Sequence, residues 1–146
     1  LLYAEDMPVD RRFDLGTYTV SADEIKAFAT LWDPLPMHVD EEAAAATPFG
    51  GLIASGVHTI AIANRLAAEA VISQTALLAG RGGREMRLLK PVRPDTRLTG
   101  SLQILENELR DNGRGYISWR IELADDAGDT VYSIIIDCIV HRRPAA

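Results

Sequence analysis

Read for polarity alone, the chain has helical spacing in its first half and strand alternation in its second. Phe13 to Val20 is short and rich in β-branched and aromatic residues, which predicts a strand. Ser21-Ala22-Asp23-Glu24 then has the form of a capping box, with Ser21 placed to cap a helix and Glu24 to reach back. Ile25, Phe28, Ala29 and Trp32 recur at helical spacing and give that helix one buried face. Pro34 ends it, because a residue before proline is pushed out of the α region. Asp40 to Ala46 predicts a second short helix, with Asp40 as cap, acids in the first turn and alanines behind them. Thr47-Pro48-Phe49-Gly50-Gly51 reads as a turn, and the main helix starts near Ala54 or Ser55. From Val57 to Ile72 nearly every position is apolar or alanine, with His58, Arg65 and Glu69 on one narrow stripe. A helix apolar over most of its circumference has to be covered over most of it.

The second half supplies the cover. Arg84 to Lys90 predicts one strand. In Arg97 to Leu105, Leu98, Leu102 and Ile104 face one way while Thr99, Ser101 and Gln103 face the other. Asn112-Gly113 signals a hairpin. Ile117, Trp119, Ile121 and Leu123 then alternate with Ser118, Arg120 and Glu122. Asp125-Asp126-Ala127-Gly128 turns the chain into a last strand, Thr130 to His141, apolar on both faces. Such a strand is covered on both sides or lies mid-sheet beside a subunit interface. Gly80-Arg81-Gly82-Gly83 has the glycines of a phosphate loop but no Walker lysine, and a strand rather than a helix follows; it reads as a turn. No second long helix exists to bury the apolar one, so the sheet must. The fold class is α+β, a single hotdog domain with an antiparallel sheet wrapped around a long central helix. Residues 13–142 form this domain, 1–12 an N-terminal lead segment and 143–146 a C-terminal tail.

Composition narrows the function. A chain of 146 residues is long enough for one domain with a substantial core. Its net charge of −6 and scattered basic residues argue against a nucleic-acid surface. No apolar run approaches membrane-spanning length, and the opening Leu1-Leu2-Tyr3-Ala4-Glu5-Asp6 does not read as a secretory signal. The lone Cys138 excludes an internal disulfide framework and suits the cytoplasm. Set between Ile136-Asp137 and Ile139-Val140, it reads as a buried small hydrophobe rather than a nucleophile. Three histidines and one cysteine in unrelated contexts offer no metal-ligand set.

Chemistry gathers between Trp32 and Thr59. Asp33 and His38 are an acid and a base on a loop stiffened by Pro34 and Pro36. Taken singly, Asp33 also fits a turn cap and His38 a surface histidine. Gly56, at the start of the main helix, allows close ligand approach and offers an unpaired N–H, or else serves a tight helix–sheet contact. His58 reads as a hydrogen-bonded structural or interface histidine, and His141 as a surface one.

Together these residues resemble the MaoC-like dehydratases, a family that includes the R-specific enoyl-CoA hydratases. The likeness rests on Ala22-Asp23-Glu24-Ile25 with Phe28-Ala29, on Asp33, Pro36, His38 and Asp40, and on Phe49-Gly50, Ile53-Ala54 and Gly56. Leu88-Leu89-Lys90-Pro91-Val92-Arg93-Pro94 continues it, so that it spans about Phe13 to Arg142. The resemblance implies a hotdog fold in which Asp33 and His38 are catalytic and hold the water that adds to a trans-2-enoyl-CoA. Gly56, Ser55 and Leu35 would be substrate-binding, with the N–H of Gly56 as oxyanion donor, and the product would be an R-3-hydroxyacyl-CoA. It implies no cofactor beyond the CoA or acyl-carrier thioester that carries the substrate. A homodimer or higher homo-oligomer is expected, with neither nucleic acid nor membrane as partner. Arg65, Arg87, Lys90 and Arg93 are candidates for the CoA phosphates. Two positions depart from the family pattern: Leu35 stands where an asparagine helps bind water or hydroxyl, and Ser55 where a histidine precedes the glycine. Two other functions stay open. One is thioester hydrolysis, for which Glu69 is the only acid well inside the helix; the other is non-catalytic acyl-thioester binding, with Leu35 marking a lost water site.

Overall fold

A computed structural model describes residues 1–146. Its strands are β1 (Arg12–Val20), β2 (Leu77–Leu88), β3 (Thr96–Arg110), β4 (Arg114–Ala124) and β5 (Thr130–His141). Its helices are α1 (Ala22–Trp32), α2 (Pro36–Val39), α3 (Glu41–Ala45) and α4 (Gly56–Ala70). The strands form one antiparallel sheet in the order β1-β3-β4-β5-β2. This is the hotdog arrangement: the alternating apolar side chains of β3 and β4 (Leu98, Leu102, Ile104, Ile117, Trp119, Ile121 and Leu123) are all buried and share one core with α4. From α4 that core takes Ile62, Ala63, Leu66 and Ala67. The helix comes close to β3 at Gly100, where a Cβ would lie 3.2 Å from Leu66 Cδ1 and 3.0 Å from Leu15 Cβ.

Local chemistry explains most element boundaries. The Ser21 hydroxyl accepts the Glu24 N–H at 3.1 Å and starts α1. Glu24 does not reach back to complete a capping box, because its carboxylate is taken up by Tyr18 and His58. Asp40 caps α3 by accepting from the amides of Glu42 and Ala43. Ser55 caps α4 by accepting from Val57 N–H at 3.2 Å. Gly113 and Gly128 take φ of 77° and 82° in the two tight turns, a region glycine enters freely.

Two further expectations are corrected. Gly80 to Gly83 is not a turn: it lies within β2, whose register against β5 shifts three times, once between Gly80 and Gly82. Glycines at a bulge permit the local kink, so a strand carries them without breaking. The segment holding His38 is not an open loop but the one-turn helix α2, begun by Pro36 at a first-turn position where its missing N–H costs nothing. His58 lies on the same side of α4 as Arg65, with which it lines a small pocket, and is the structural histidine expected: 3% exposed, stacked on Phe28 and 3.4 Å from Glu24.

The N-terminal lead is folded against the sheet. Ala4 and Met7 are fully buried, and Asn107 Nδ2 donates to the carbonyls of both, each at 2.8 Å. The C-terminal tail joins it: Arg142 pairs with Glu5 at 3.0 Å, and Arg143 with Asp6 at 2.6 Å. A Cβ at Gly115 would overlap the Cβ of Ala4. Gly115→Ala should therefore destabilise the domain by about 1–3 kcal/mol as overpacking, read as a lower urea midpoint at unchanged slope. An unchanged midpoint would mean that the lead is not seated there.

Candidate active site

Asp33 is held at the end of α1. Its N–H donates to Ala29 O at 2.8 Å, and Pro34 prevents the helix from continuing. Five residues later α2 presents His38, which is 6% exposed. Its Nδ1 lies 2.8 Å from the carbonyl of Ile53. A carbonyl can only accept, so Nδ1 carries the proton and, in the neutral ring, Nε2 keeps its lone pair. That Nε2 is 3.6 Å from Asp33 Oδ2. The Ile53 segment is itself fixed on both sides: Ile53 N–H donates to Met37 O, and Ala54 N–H to Val92 O. The Asp and His separated by five positions in sequence are thus brought together in space.

Next to them α4 begins. Gly56 occupies its first turn, and no protein acceptor takes its N–H. A Cβ at Gly56 would lie 2.7 Å from Leu88 Cδ1, so a side chain here would meet β2. A cavity of about 280 Å³ opens at this point. Gly56 lines it, its walls are mainly apolar (Phe49, Ile53, Ala54, Leu88, Leu89 and Val92), and its polar side chains are His38, Thr59 and Lys90. Asp33 does not itself line the cavity and reaches it beside His38. An imidazole acceptor and a free helix-start N–H at an apolar cavity, with a carboxylate behind the imidazole, can bind water and oppose a developing oxyanion.

The other expected site residues are placed as follows. Ser55 is fully buried and does not line the cavity; its hydroxyl donates to Asp33 Oδ2 at 2.7 Å. Leu35 is 46% exposed, also outside the cavity lining, and contributes its backbone carbonyl to the His38 N–H at 2.9 Å. Among the cations, Lys90 stands at the cavity but is paired with Asp125 at 2.6 Å and Asp129 at 3.0 Å, which raise its pKa and hold it charged. Arg65 is paired with Glu69 on the exposed side of α4. Cys138 is buried, and burial, aided by Asp137, pushes its thiol up to about 12, leaving it inert.

Two features were not read from the sequence. Thr59 lines the cavity; its spacing of three from Gly56 along a helix is the signal that could have found it. The other is a cluster in which Tyr18 OH donates to Glu24 Oε1 and His58 Nε2 approaches the same oxygen at 3.4 Å. Phe28 stacks on the His58 ring with centroids 4.3 Å apart, tying α1 to the first turn of α4.

The chain belongs to the family described as MaoC like domain, whose model matches residues 5–119. A MaoC-like dehydratase from Rhodospirillum rubrum superposes with a TM-score of 0.90 at 35% identity, over 99% of this chain and 100% of that one. The monoamine oxidase regulatory protein from Archaeoglobus fulgius gives 0.88 at 26% identity, over 98% and 96%. The uncharacterized protein YdeM of Bacillus subtilis (strain 168) is 34% identical over 114 residues, 78% of this chain and 81% of that protein. This membership supports the hydratase class of activity.

His58 yields a pH prediction. Burial lowers its pKa below the ordinary 6.5, outweighing Glu24, which raises it. A charged ring would also bury the N–H of Nδ1, which has no protein partner. The unfolded chain then binds the proton more readily than the folded one. The stability held above pH 6.5 is lost as the pH falls toward the lowered value. Glu24 and Tyr18 face the ring, with Arg65 at the edge of the same pocket. Between pH 7.5 and 5.5 wild type should lose more urea stability than His58→Leu; parallel losses would show that His58 does not titrate in this way.

Proposed function

We propose that this domain is a hydro-lyase that adds water across a trans-2-enoyl thioester to give the R-3-hydroxyacyl thioester, or removes it in reverse. The thioester is carried on CoA or an acyl carrier, with no further cofactor. The observation that supports this most is the bond from His38 Nδ1–H to Ile53 O, which leaves Nε2 as an acceptor beside Asp33. Their 3.6 Å separation is beyond a direct hydrogen bond and suits a water held by both. In hydration His38 Nε2 takes a proton from that water as its oxygen bonds to the β-carbon. The double-bond electrons move to the thioester oxygen, opposed by the N–H of Gly56 and the α4 dipole. Protonated Asp33 then delivers its proton to the α-carbon, and the proton on His38 passes through the next bound water to the Asp33 oxygen that lost its own. Water is added and the pair is reset.

The walls from Phe49, Ile53 and Leu88 would take the acyl chain. A thioesterase that drew its carboxylate from the central helix would need Glu69, which is 63% exposed and bound to Arg65. Non-catalytic binding is the reading favoured by Leu35, which offers the cavity no amide. With crotonyl-CoA, wild type should consume the conjugated thioester absorbance, and Asp33→Asn and His38→Ala should each slow turnover by about 10²–10⁴-fold. Unchanged turnover in both variants sinks the assignment; binding without turnover by wild type favours the non-catalytic reading.

The same proposal includes a homodimer. β2 is a sheet edge exposed along all 12 residues, and it carries Leu77, Leu78, Met86 and Leu88 with 38–52% exposure. An edge of this length and polarity is a template for pairing, and a second copy would cover it by the same edge. Sedimentation should give twice the chain mass or a multiple of it, and a monomer at all concentrations would refute this.

A further inference from the structure

We infer that Ser55 is a positioning residue: its one hydroxyl orients the Asp33 carboxylate and ties it to the start of the helix that carries Gly56. The inference rests on the hydro-lyase reading and replaces the expectation that Ser55 binds substrate. Ser55 is fully buried, whereas the Asp33 side chain is 28% exposed, so the hydroxyl is presented to the carboxylate and not to a substrate. Both capacities of that hydroxyl are used. Its proton goes to Asp33 Oδ2 at 2.7 Å, and its lone pair accepts the Val57 N–H at 3.2 Å.

These two bonds have different consequences. The bond from Val57 caps α4 in the ordinary way. The bond to Asp33 crosses 22 residues of sequence and joins the end of α1 to the start of α4. It engages Oδ2, the oxygen 3.6 Å from His38 Nε2, and Oδ1 has no protein partner. Ser55 thereby distinguishes the two oxygens. Oδ2 is held toward the serine and the imidazole, while Oδ1 is left for the substrate's α-carbon and the proton it receives. In that step the Oδ1–H bond breaks, the α-carbon–H bond forms, and the enolate electron pair becomes that bond.

The acid and the oxyanion donor must act on atoms two bonds apart, so their relative placement matters more than either position alone. Asp33 sits just beyond Trp32 at the end of α1, with its side chain 28% exposed. Without the serine, the remaining restraint on the carboxylate is its own backbone. The His58–Phe28 stack and the Glu24 contacts join the two helices through other side chains and place no bond on the carboxylate itself.

The test separates capping from positioning. Glycine caps a helix nearly as well as serine but cannot donate to Asp33, so Ser55→Gly removes one role and keeps the other; Ser55→Ala removes both. With crotonyl-CoA both variants should lose about 10- to 100-fold in kcat, as a misplaced catalytic group does, with KM unchanged. Ser55→Thr, which keeps the hydroxyl, should recover most of the loss. In an Asp33→Asn background Ser55→Gly should cost nothing further, because it acts through the carboxylate. An additive loss in that background overturns the proposal. A readout independent of turnover is the three-bond coupling of the Asp33 β-protons: one rotamer in wild type, averaged rotamers in Ser55→Gly and Ser55→Ala. Equal couplings in all three proteins overturn the positioning role even if wild type proves inactive, whereas inactivity with altered couplings counts against the hydro-lyase reading alone.

Discussion

The constraint beneath this structure is the burial of α4. Its inward face must leave water, and the chain offers no other helix of comparable length to cover it. Each buried aliphatic side chain such as Ile62 or Leu66 contributes about 1.5–3 kcal/mol when removed from water. A sheet can cover such a helix only by curving around it, and the apolar positions of β3 and β4 supply that concave face. Gly100 lets the two approach closely. Once the helix lies there, its first turn sits at the rim with an N–H that no protein group satisfies. That free N–H, the proposed oxyanion donor, is a by-product of how the core is filled.

The proposed acid has no such support of its own. Asp33 lies beyond the last turn of a short helix on the surface, where side chains ordinarily sample several rotamers. Two sets of contacts limit this. The stack of Phe28 on His58 docks α1 against α4, and the Ser55 hydroxyl fixes the carboxylate itself. His38 is restrained through a different route, by the Ile53 carbonyl and the two backbone bonds that anchor that segment. Asp33 and His38 are therefore held by two separate contacts, one to Ser55 and one to Ile53, both in the segment that leads into α4.

Much of the fold was legible in the sequence because periodicity is a local signal. The alternation from Ile117 to Leu123 and the hairpin at Asn112-Gly113 needed no tertiary information, and both stand in the structure. The glycines of β2 misled because a bulged strand and a turn make the same local demand, and only pairing with β5 distinguishes them. Glu24 misled in the opposite sense: its spacing from Ser21 fits a capping box, but a phenol and an imidazole from other elements compete for the carboxylate. At the site, Asp33, His38 and Gly56 were visible as residue types in order. Which residues beside them face the cavity was not visible. Ser55 and Leu35 adjoin the key positions in sequence but lie outside the lining, whereas Thr59 is inside it, because helical and extended backbone send neighbouring side chains in different directions.

The seating of the N-terminal lead bears on how this domain can be joined to others. Glu5 and Asp6 bind Arg142 and Arg143 beside the β3–β4 hairpin, and Leu2 bridges to Thr75 just past the end of α4. Both chain ends therefore emerge together at the opposite end of the central helix from the cavity. At 1.5 Å per residue its 15 residues separate the two places by roughly 22 Å. Polypeptide attached before Leu1 or after Ala146 would leave from that far pole, and a second module could be carried there with the cavity mouth unobstructed.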